Sequence, residues 1–260
     1  MNKTKIKWTD YTWNPISGCD KISDGCKYCY AGTIAERYKG GVAFPNGFEV
    51  HLKPGKLKEP YKIKTPSKIF INSMSDLFHE GVPVDYIRLI INIVLDNPQH
   101  QFQILTKRAK RMRDVSKDIE FPENLWCGVS VESNKYLSRI DCLRDTEAKI
   151  KFVSFEPLLE DVSPVNLDGI NWVVTGGESG LHLFDEKIAG ERALVIRAGK
   201  EWIVSASKID WVRKIRDNCL KNNVAFYHKQ WGGPQPASAG NELDGEIWEE
   251  FPMLLSTIES

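Results

Sequence analysis

Trp13-Asn14-Pro15-Ile16-Ser17-Gly18-Cys19, running on to Cys26-Lys27-Tyr28-Cys29-Tyr30-Ala31, sets three cysteines apart by six residues and then by two. Gly18, Asp24 and Gly25 are turn formers, and they let the intervening loop fold back so that three sulfurs converge. Converging thiolates point to a metal. No fourth thiol or histidine stands beside them, which suits a cluster or metal that keeps one coordination position open for chemistry. The approach from Lys5 to Pro15 reads as a first strand and the stretch from about Ala31 to Tyr38 as a helix, so the cysteine loop sits where a strand ends.

Working outward, the chain settles into alternation. Ile69-Phe70-Ile71 reads as a strand, and Val84 to Asp96 as a helix with Ile87, Ile90, Ile91 and Val94 on one face. Phe102 to Leu105, Leu125 to Val129, Ile150 to Val153, Ile170 to Val174 and Val224 to Tyr227 repeat the strand pattern. A last helix, about Lys208 to Asn222, follows Ser207 with Asp210 three residues on, a start resembling a capping box. Strands alternating with helices, with no glycine-rich dinucleotide fingerprint, predict an α/β fold. The expected architecture is a partial or distorted parallel (β/α) barrel, TIM-barrel-like, of six to seven strands.

The length of 260 residues, with 42% hydrophobic and 27% charged, fits a single domain over 1–260 with a sizeable core. Two excursions are expected. Residues of about 42–67 are rich in Pro, Gly and Lys and run over the surface or the site; residues of about 181–204 form a flap or hairpin. After Gly232 comes an acidic C-terminal tail in which Ile247, Trp248, Phe251, Leu254 and Leu255 are expected to pack back on the body. No apolar run reaches the roughly 18 residues that span a bilayer, and the amino terminus has no apolar signal core, so a cytoplasmic protein without a membrane partner is expected. Cys127, Cys142 and Cys219 read as core-filling thiols in a reduced compartment.

The cysteine stretch resembles the cluster-binding loop of the radical S-adenosylmethionine superfamily. The fuller pattern, Thr12-Trp13-Asn14-Pro15 through Gly25-Cys26 and Cys29-Tyr30-Ala31, resembles a phage-encoded family catalogued as a domain of unknown function. Ser73-Met74-Ser75-Asp76-Leu77-Phe78, Leu105-Thr106-Lys107-Arg108, Gly128-Val129-Ser130, Phe155-Glu156-Pro157-Leu158, Gly176-Gly177-Glu178-Ser179-Gly180 and Lys229-Gln230-Trp231-Gly232 look like further signatures of that family. The resemblance implies the same partial barrel and a 4Fe-4S cluster on Cys19, Cys26 and Cys29 whose fourth iron takes the amino and carboxylate groups of S-adenosylmethionine. One electron from an external donor then releases a deoxyadenosyl radical. The superfamily's commonest first gap is three residues and here it is six, so use of S-adenosylmethionine is implied by the resemblance and not by the spacing.

In parallel barrels the site forms at the carboxyl ends of the strands. Asn72, Ser73 and Asp76, then Thr106 and Lys107 with Arg108, then Glu132, Glu156, Glu178 and Lys229 all follow strands and are expected to surround one cavity with the sulfurs. Lys107, Glu132, Glu156 and Lys229 are the candidates for catalysis. Tyr28, Asn72, Ser73, Asp76, Thr106, Gly176, Gly177 and Glu178 are the candidates for cofactor binding: Tyr28 holds the motif's aromatic position, and Gly176-Gly177 let backbone approach a ligand. Taken singly, each polar residue also reads as a cap or turn former.

The net charge is zero, yet Lys53, Lys56, Lys58, Lys62, Lys64 and Lys68 form one basic run and Lys107, Arg108, Lys110, Arg111 and Arg113 another. Both read as solvated faces or as phosphate-following clusters. The Asn-Pro-x-x-Gly-Cys start and the Thr-Lys after a strand are also similar to spore photoproduct lyase, a radical enzyme of DNA repair, which implies a nucleic acid or nucleotide substrate. A second reading is a zinc-binding nucleic-acid-interaction module, with His51, His79 or His228 as a distant fourth ligand. A third is a phage-associated factor that acts with a partner protein.

Overall fold

Short runs of apolar, β-branched and aromatic residues alternate here with stretches whose apolar residues recur every three or four positions. In the computed structural model, which describes residues 1–42 and 44–253, these become the strands and helices of two compact units, Met1–Ser154 and Phe155–Ser260.

In the first unit the strands are β1 (Asn2–Lys3), β2 (Tyr11–Trp13), β3 (Lys68–Ile71), β4 (Gln101–Thr106), β5 (Leu125–Ser130) and β6 (Ile150–Phe155), side by side in that order. β1 is antiparallel to β2, and every later pairing through β6 is parallel. Trp13 lies opposite Ile71, Ile71 opposite Ile104, Thr106 opposite Val129, and Ser130 opposite Ser154. That register brings the carboxyl ends of five strands to one edge. The helices are α1 (Tyr30–Arg37), α2 (Val84–Leu95), α3 (Ala109–Ser116) and α4 (Ser138–Arg144). The face of α2 read from its periodicity is the buried one, with Ile87, Ile90 and Val94 at zero exposure. Residues 42–67 hold a two-residue strand, His51–Leu52, antiparallel to Ile16–Ser17, and two short turns of helix.

The second unit holds β7 (Trp172–Gly176) and β8 (Ala225–Gln230), parallel to one another, with α5 (Glu186–Arg192) and α6 (Ile209–Lys221). Residues 181–204 contain a turn, α5 and an antiparallel hairpin of Val195–Ala198 with Glu201–Val204. Trp248 and Phe251 stack near Phe226 and Trp172, at 5.9 and 5.3 Å between ring centroids. Ile247 stays exposed. Leu254 and Leu255 lie outside the described residues.

The eight sheet strands are mostly parallel, and the sheet is not closed. An open sheet of eight strands therefore stands where a partial or distorted barrel of six to seven is expected. The added strand, Asn2–Lys3, is two exposed polar residues without periodicity, and its pairing with β2 leaves no pattern in the sequence. α6 also departs from expectation at its start. Its first residue follows Lys208, no side chain caps it, and Ser207 Oγ instead bonds Ser205 Oγ at 3.0 Å. Among the described residues no helix is long and apolar enough to cross a membrane.

One packing contact in the first unit yields a direct test. A Cβ on Gly128 would lie 2.3 Å from the Phe152 ring, and Phe152 is fully buried between strands. Gly128→Ala is expected to destabilise the protein by roughly 1–3 kcal/mol through overpacking, read as a lower urea midpoint at unchanged slope. An unchanged midpoint would mean that the ring has room to move.

Candidate functional site

The cysteine loop is fixed to the carboxyl edge of the first unit by backbone bonds. Gly18 N–H donates to the Met74 carbonyl at 3.1 Å and Cys19 N–H to that of Phe48 at 3.0 Å. Gly18 adopts φ +86°, and a Cβ there would lie 1.9 Å from the Glu49 carbonyl oxygen, so only glycine passes at this point. Cys26 lies in a short turn of helix, Cys29 caps α1, and all three thiols are half-buried and free.

Two cations face the loop. The buried Arg108 donates from Nη1 to Cys19 Sγ and to Asp76 Oδ2, each at 3.3 Å, and from Nε to Glu80 at 2.7 Å. Asp76 is saturated: its carboxylate also accepts from Thr106 Oγ1 at 2.7 Å and from the Phe78 and Lys107 backbone N–H groups. Lys107 Nζ reaches Glu132 at 2.7 Å, and Glu132, with no exposed side-chain surface, also binds Arg139 at 2.7 Å and accepts from Ser23 Oγ at 2.5 Å. Ser23 Oγ lies 3.4 Å from Cys26 Sγ. Gly25 completes this side, since a Cβ there would meet the Glu132 side chain at 2.5 Å.

The two thiols differ in consequence. Burial pushes Cys19 up to about 11, with the Asp76 charge adding and Arg108 opposing. Burial also acts upward on Cys26, but the Lys107 ammonium and the Ser23 hydrogen bond outweigh it and bring that thiol below its ordinary value.

Cys19, Cys26, Asp76, Thr106, Lys107 and Glu132 are thus linked by bonds through Arg108 and Ser23. Ser73 is held by Asn14 at 3.2 Å, and its carbonyl accepts from Tyr30 Oη at 2.6 Å. Asn72 is buried with φ +63°, and its side-chain amide has no hydrogen-bond partner. Tyr28 is half-buried, with the Lys27 ammonium 5.2 Å from its ring centre. A cavity of about 480 Å³ adjoins the group and is lined by Lys107, Arg108, Lys110, Arg111 and Arg139 together with Glu80 and Asp114.

In the second unit Lys229 Nζ and Glu156 Oε1 pair at 2.6 Å. Glu178 takes a two-pronged bond from Arg192, 2.6 Å at each oxygen, and lies 3.2 Å from His182. The space beside Gly176 is filled by Glu156 at 3.1 Å, and that beside Gly177 by the Trp231 carbonyl at 1.9 Å. These glycines admit the chain's own groups.

Lys107 and Arg108 are correspondingly not free phosphate ligands, because Glu132 holds the first and Asp76 and Glu80 hold the second. Ser23, Arg139 and Arg192 are functional neighbours that sequence reasoning missed; each meets its carboxylate across a loop or helix with no local motif. Of the histidines considered for zinc, His79 has both ring nitrogens engaged, Nε2 with Asp20 at 2.9 Å and Nδ1 accepting from Gly81 N–H at 3.0 Å. His228 bonds Thr175 in the second unit, and among the described residues no three His, Cys, Asp or Glu side chains are already gathered as a finished metal site.

An α/β fold with a mostly parallel central sheet and a cysteine loop at its carboxyl edge is the class that these observations define, and solved structures similar to it in fold include spore photoproduct lyases. A cysteine-to-serine variant of that enzyme superposes with a TM-score of 0.56 at 11% identity, covering 88% of this chain and 78% of the other. A double variant with bound AdoMet and dinucleoside spore photoproduct gives 0.52 at 8%, and a complex with the dinucleoside spore photoproduct 0.51 at 10%, with the same coverage. The chain belongs to the family described as "Protein of unknown function (DUF5131)", whose profile matches residues 3–193 and 199–252. No curated protein matches it.

An iron–sulfur cluster can be tested against the donor set alone. Three free, half-buried cysteines on one loop supply thiolate ligands, with an Arg108 hydrogen bond on the Cys19 sulfur and the Lys107 charge beside Cys26. The residues fit the group.

Proposed function

We propose that the protein is an iron–sulfur enzyme of the radical S-adenosylmethionine type, built on an open, mostly parallel α/β sheet and acting on a nucleic acid or nucleotide. The observation that carries this reading is the loop of three free cysteines at the carboxyl edge of the first unit, with Arg108 bonded to the Cys19 sulfur and the Lys107 charge acting on Cys26. The spore photoproduct lyases add support through their fold and through the AdoMet and dinucleoside bound in one of them.

Cys19, Cys26 and Cys29 would hold a 4Fe-4S cluster. When bound, with S-adenosylmethionine and an electron from an external donor, such a cluster supplies the reductive cleavage that yields methionine and a deoxyadenosyl radical. The chain's own residues position and shield. Glu132 and Ser23 hold the loop, while Arg108 and Lys107 offset the charge of the sulfurs. Tyr28, Asn72, Ser73, Asp76 and Thr106 form the cofactor side; the unpartnered amide of Asn72 is the group there with hydrogen-bonding capacity to give a ligand. Lys110 lines the basic cavity and serves the phosphates of the substrate, while Arg111 forms part of its wall with its guanidinium bonded to the His79 and Val82 carbonyls. In the second unit the paired Glu156 and Lys229 handle a proton, and Gly176, Gly177 and Glu178 shape the backbone around them.

Anaerobic purification and reconstitution, followed by iron, sulfide and zinc analysis, tests this directly. About four irons per chain with a broad visible absorption are expected. Dithionite and S-adenosylmethionine should then release 5′-deoxyadenosine. Stoichiometric zinc without iron would overturn the reading in favour of a structural zinc module.

A further inference from the structure

Arg108 occupies an unusual place for a surface-loop cation. Its side chain is 4% exposed, yet it follows β4 at the edge where the cysteine loop lies. Three acceptors share the guanidinium: Glu80 on Nε at 2.7 Å, and Asp76 and the Cys19 sulfur on Nη1 at 3.3 Å. The backbone is locked as well, since Arg108 N–H donates to Thr106 Oγ1 at 2.9 Å and that hydroxyl donates to Asp76 at 2.7 Å. The fork is thus fixed by a strand end, the buried Asp76 carboxylate and the exposed Glu80 carboxylate, and it points at a cysteine sulfur.

Electrostatics decides what such a contact does. A charge held against a half-buried sulfur is weakly screened, so its interaction with that sulfur is several times its value in water. Potentials of iron–sulfur centres respond to net charge and to hydrogen bonds on the sulfurs. A donor cation stabilises the reduced, more negative form over the oxidised one.

We infer that Arg108 is a positioning residue that sets the reduction potential of a cluster bound by Cys19, Cys26 and Cys29, through its Nη1–H bond to the Cys19 sulfur, with Glu80 as the counter-charge that limits its effect. This rests on the reading of the preceding subsection. The electron in the couple comes from an external reductant, and no bond is made or broken in the protein. Lys107, held by Glu132, acts on the Cys26 side in the same sense.

The full chain, reconstituted anaerobically, is titrated with dithionite in the presence of redox mediators, and the reduced cluster is followed by its electron paramagnetic resonance. Arg108→Gln removes the charge and is expected to lower the reduced-to-oxidised ratio at fixed poise by about tenfold, which is ~59 mV for a one-electron couple. Glu80→Gln removes the opposing charge from a carboxylate that is 69% exposed, so folding is spared, and is expected to move the potential upward. A purely structural role for Arg108 would not produce shifts of opposite sign. Should Arg108→Gln fail to take up iron, the Glu80→Gln shift decides alone. Full iron content with both potentials unchanged overturns this inference and leaves the cluster reading standing; a wild-type chain that takes up no iron overturns both.

Discussion

Glu132→Ala is expected to cost about 3–5 kcal/mol of stability, the loss that follows when one partner of a buried ion network is removed and the others stay buried. Its carboxylate has no exposed surface and accepts from Lys107, Arg139 and Ser23 at 2.7, 2.7 and 2.5 Å. Removing it strands the Lys107 ammonium and the Arg139 guanidinium, although Arg139 keeps its bond to the Ser130 carbonyl at 2.7 Å. It also releases Ser23, and with it the turn that carries Cys26. Urea denaturation of the apo protein reads the loss, and a midpoint within error of wild type would show that water reaches the network.

The same group gives the sign of an acid dependence. Burial acts to raise the Glu132 carboxyl, but Lys107 and Arg139 outweigh it and hold it below its ordinary value of 4.5. A carboxylate lowered by folding contributes stability that is complete above the ordinary value and is lost as pH falls through the folded one. Wild type should therefore lose stability below about pH 4.5 more steeply than Glu132→Gln, which has no such group to titrate.

How far the sequence could be read follows from the range of each interaction. The helix α2 was legible because burial repeats every three to four residues, and Ile87, Ile90, Ile91 and Val94 are indeed inside. Polar residues at strand ends were legible because parallel strands share an edge, and Asp76, Thr106, Lys107 and Glu132 are bonded into one group in the first unit. Their pairing was not legible. The Lys107–Arg108 dipeptide looks the same in a sequence whether it meets phosphate or carboxylate, and only the fold brings Asp76, Glu80 and Glu132 against it. Arg139 reaches Glu132 from α4 and Arg192 reaches Glu178 from α5 with no signal beyond being arginines on short helices. Gly176-Gly177 announces a close approach truthfully, but a sequence does not say whose backbone approaches. Asn2–Lys3 shows the opposite limit: two exposed polar residues gain a strand only because Tyr11–Trp13 offers an edge.

Replacing Cys26 by alanine is expected to abolish iron binding while leaving the fold nearly intact, as the loss of any one of three cluster ligands should. Cys26 is half-buried in a short turn, where its side chain meets Ser23 and the charge of Lys107 but fills no core position. Its loss should cost no more than about 1 kcal/mol of apo stability, the usual range for sites outside the core. A cluster on three cysteines has no spare protein ligand. Cys142→Ala supplies the control. That thiol sits in α4, partly exposed beside Arg113 and Asp145, remote in sequence from the motif, and should retain full iron. Iron and sulfide analysis after anaerobic reconstitution, paired with the urea midpoint of each apo protein, separates lost ligation from lost folding. Wild-type iron content in Cys26→Ala, with an unchanged midpoint, would remove the cysteine loop from the cofactor site and with it the reason for placing Arg108 and Lys107 beside a cluster.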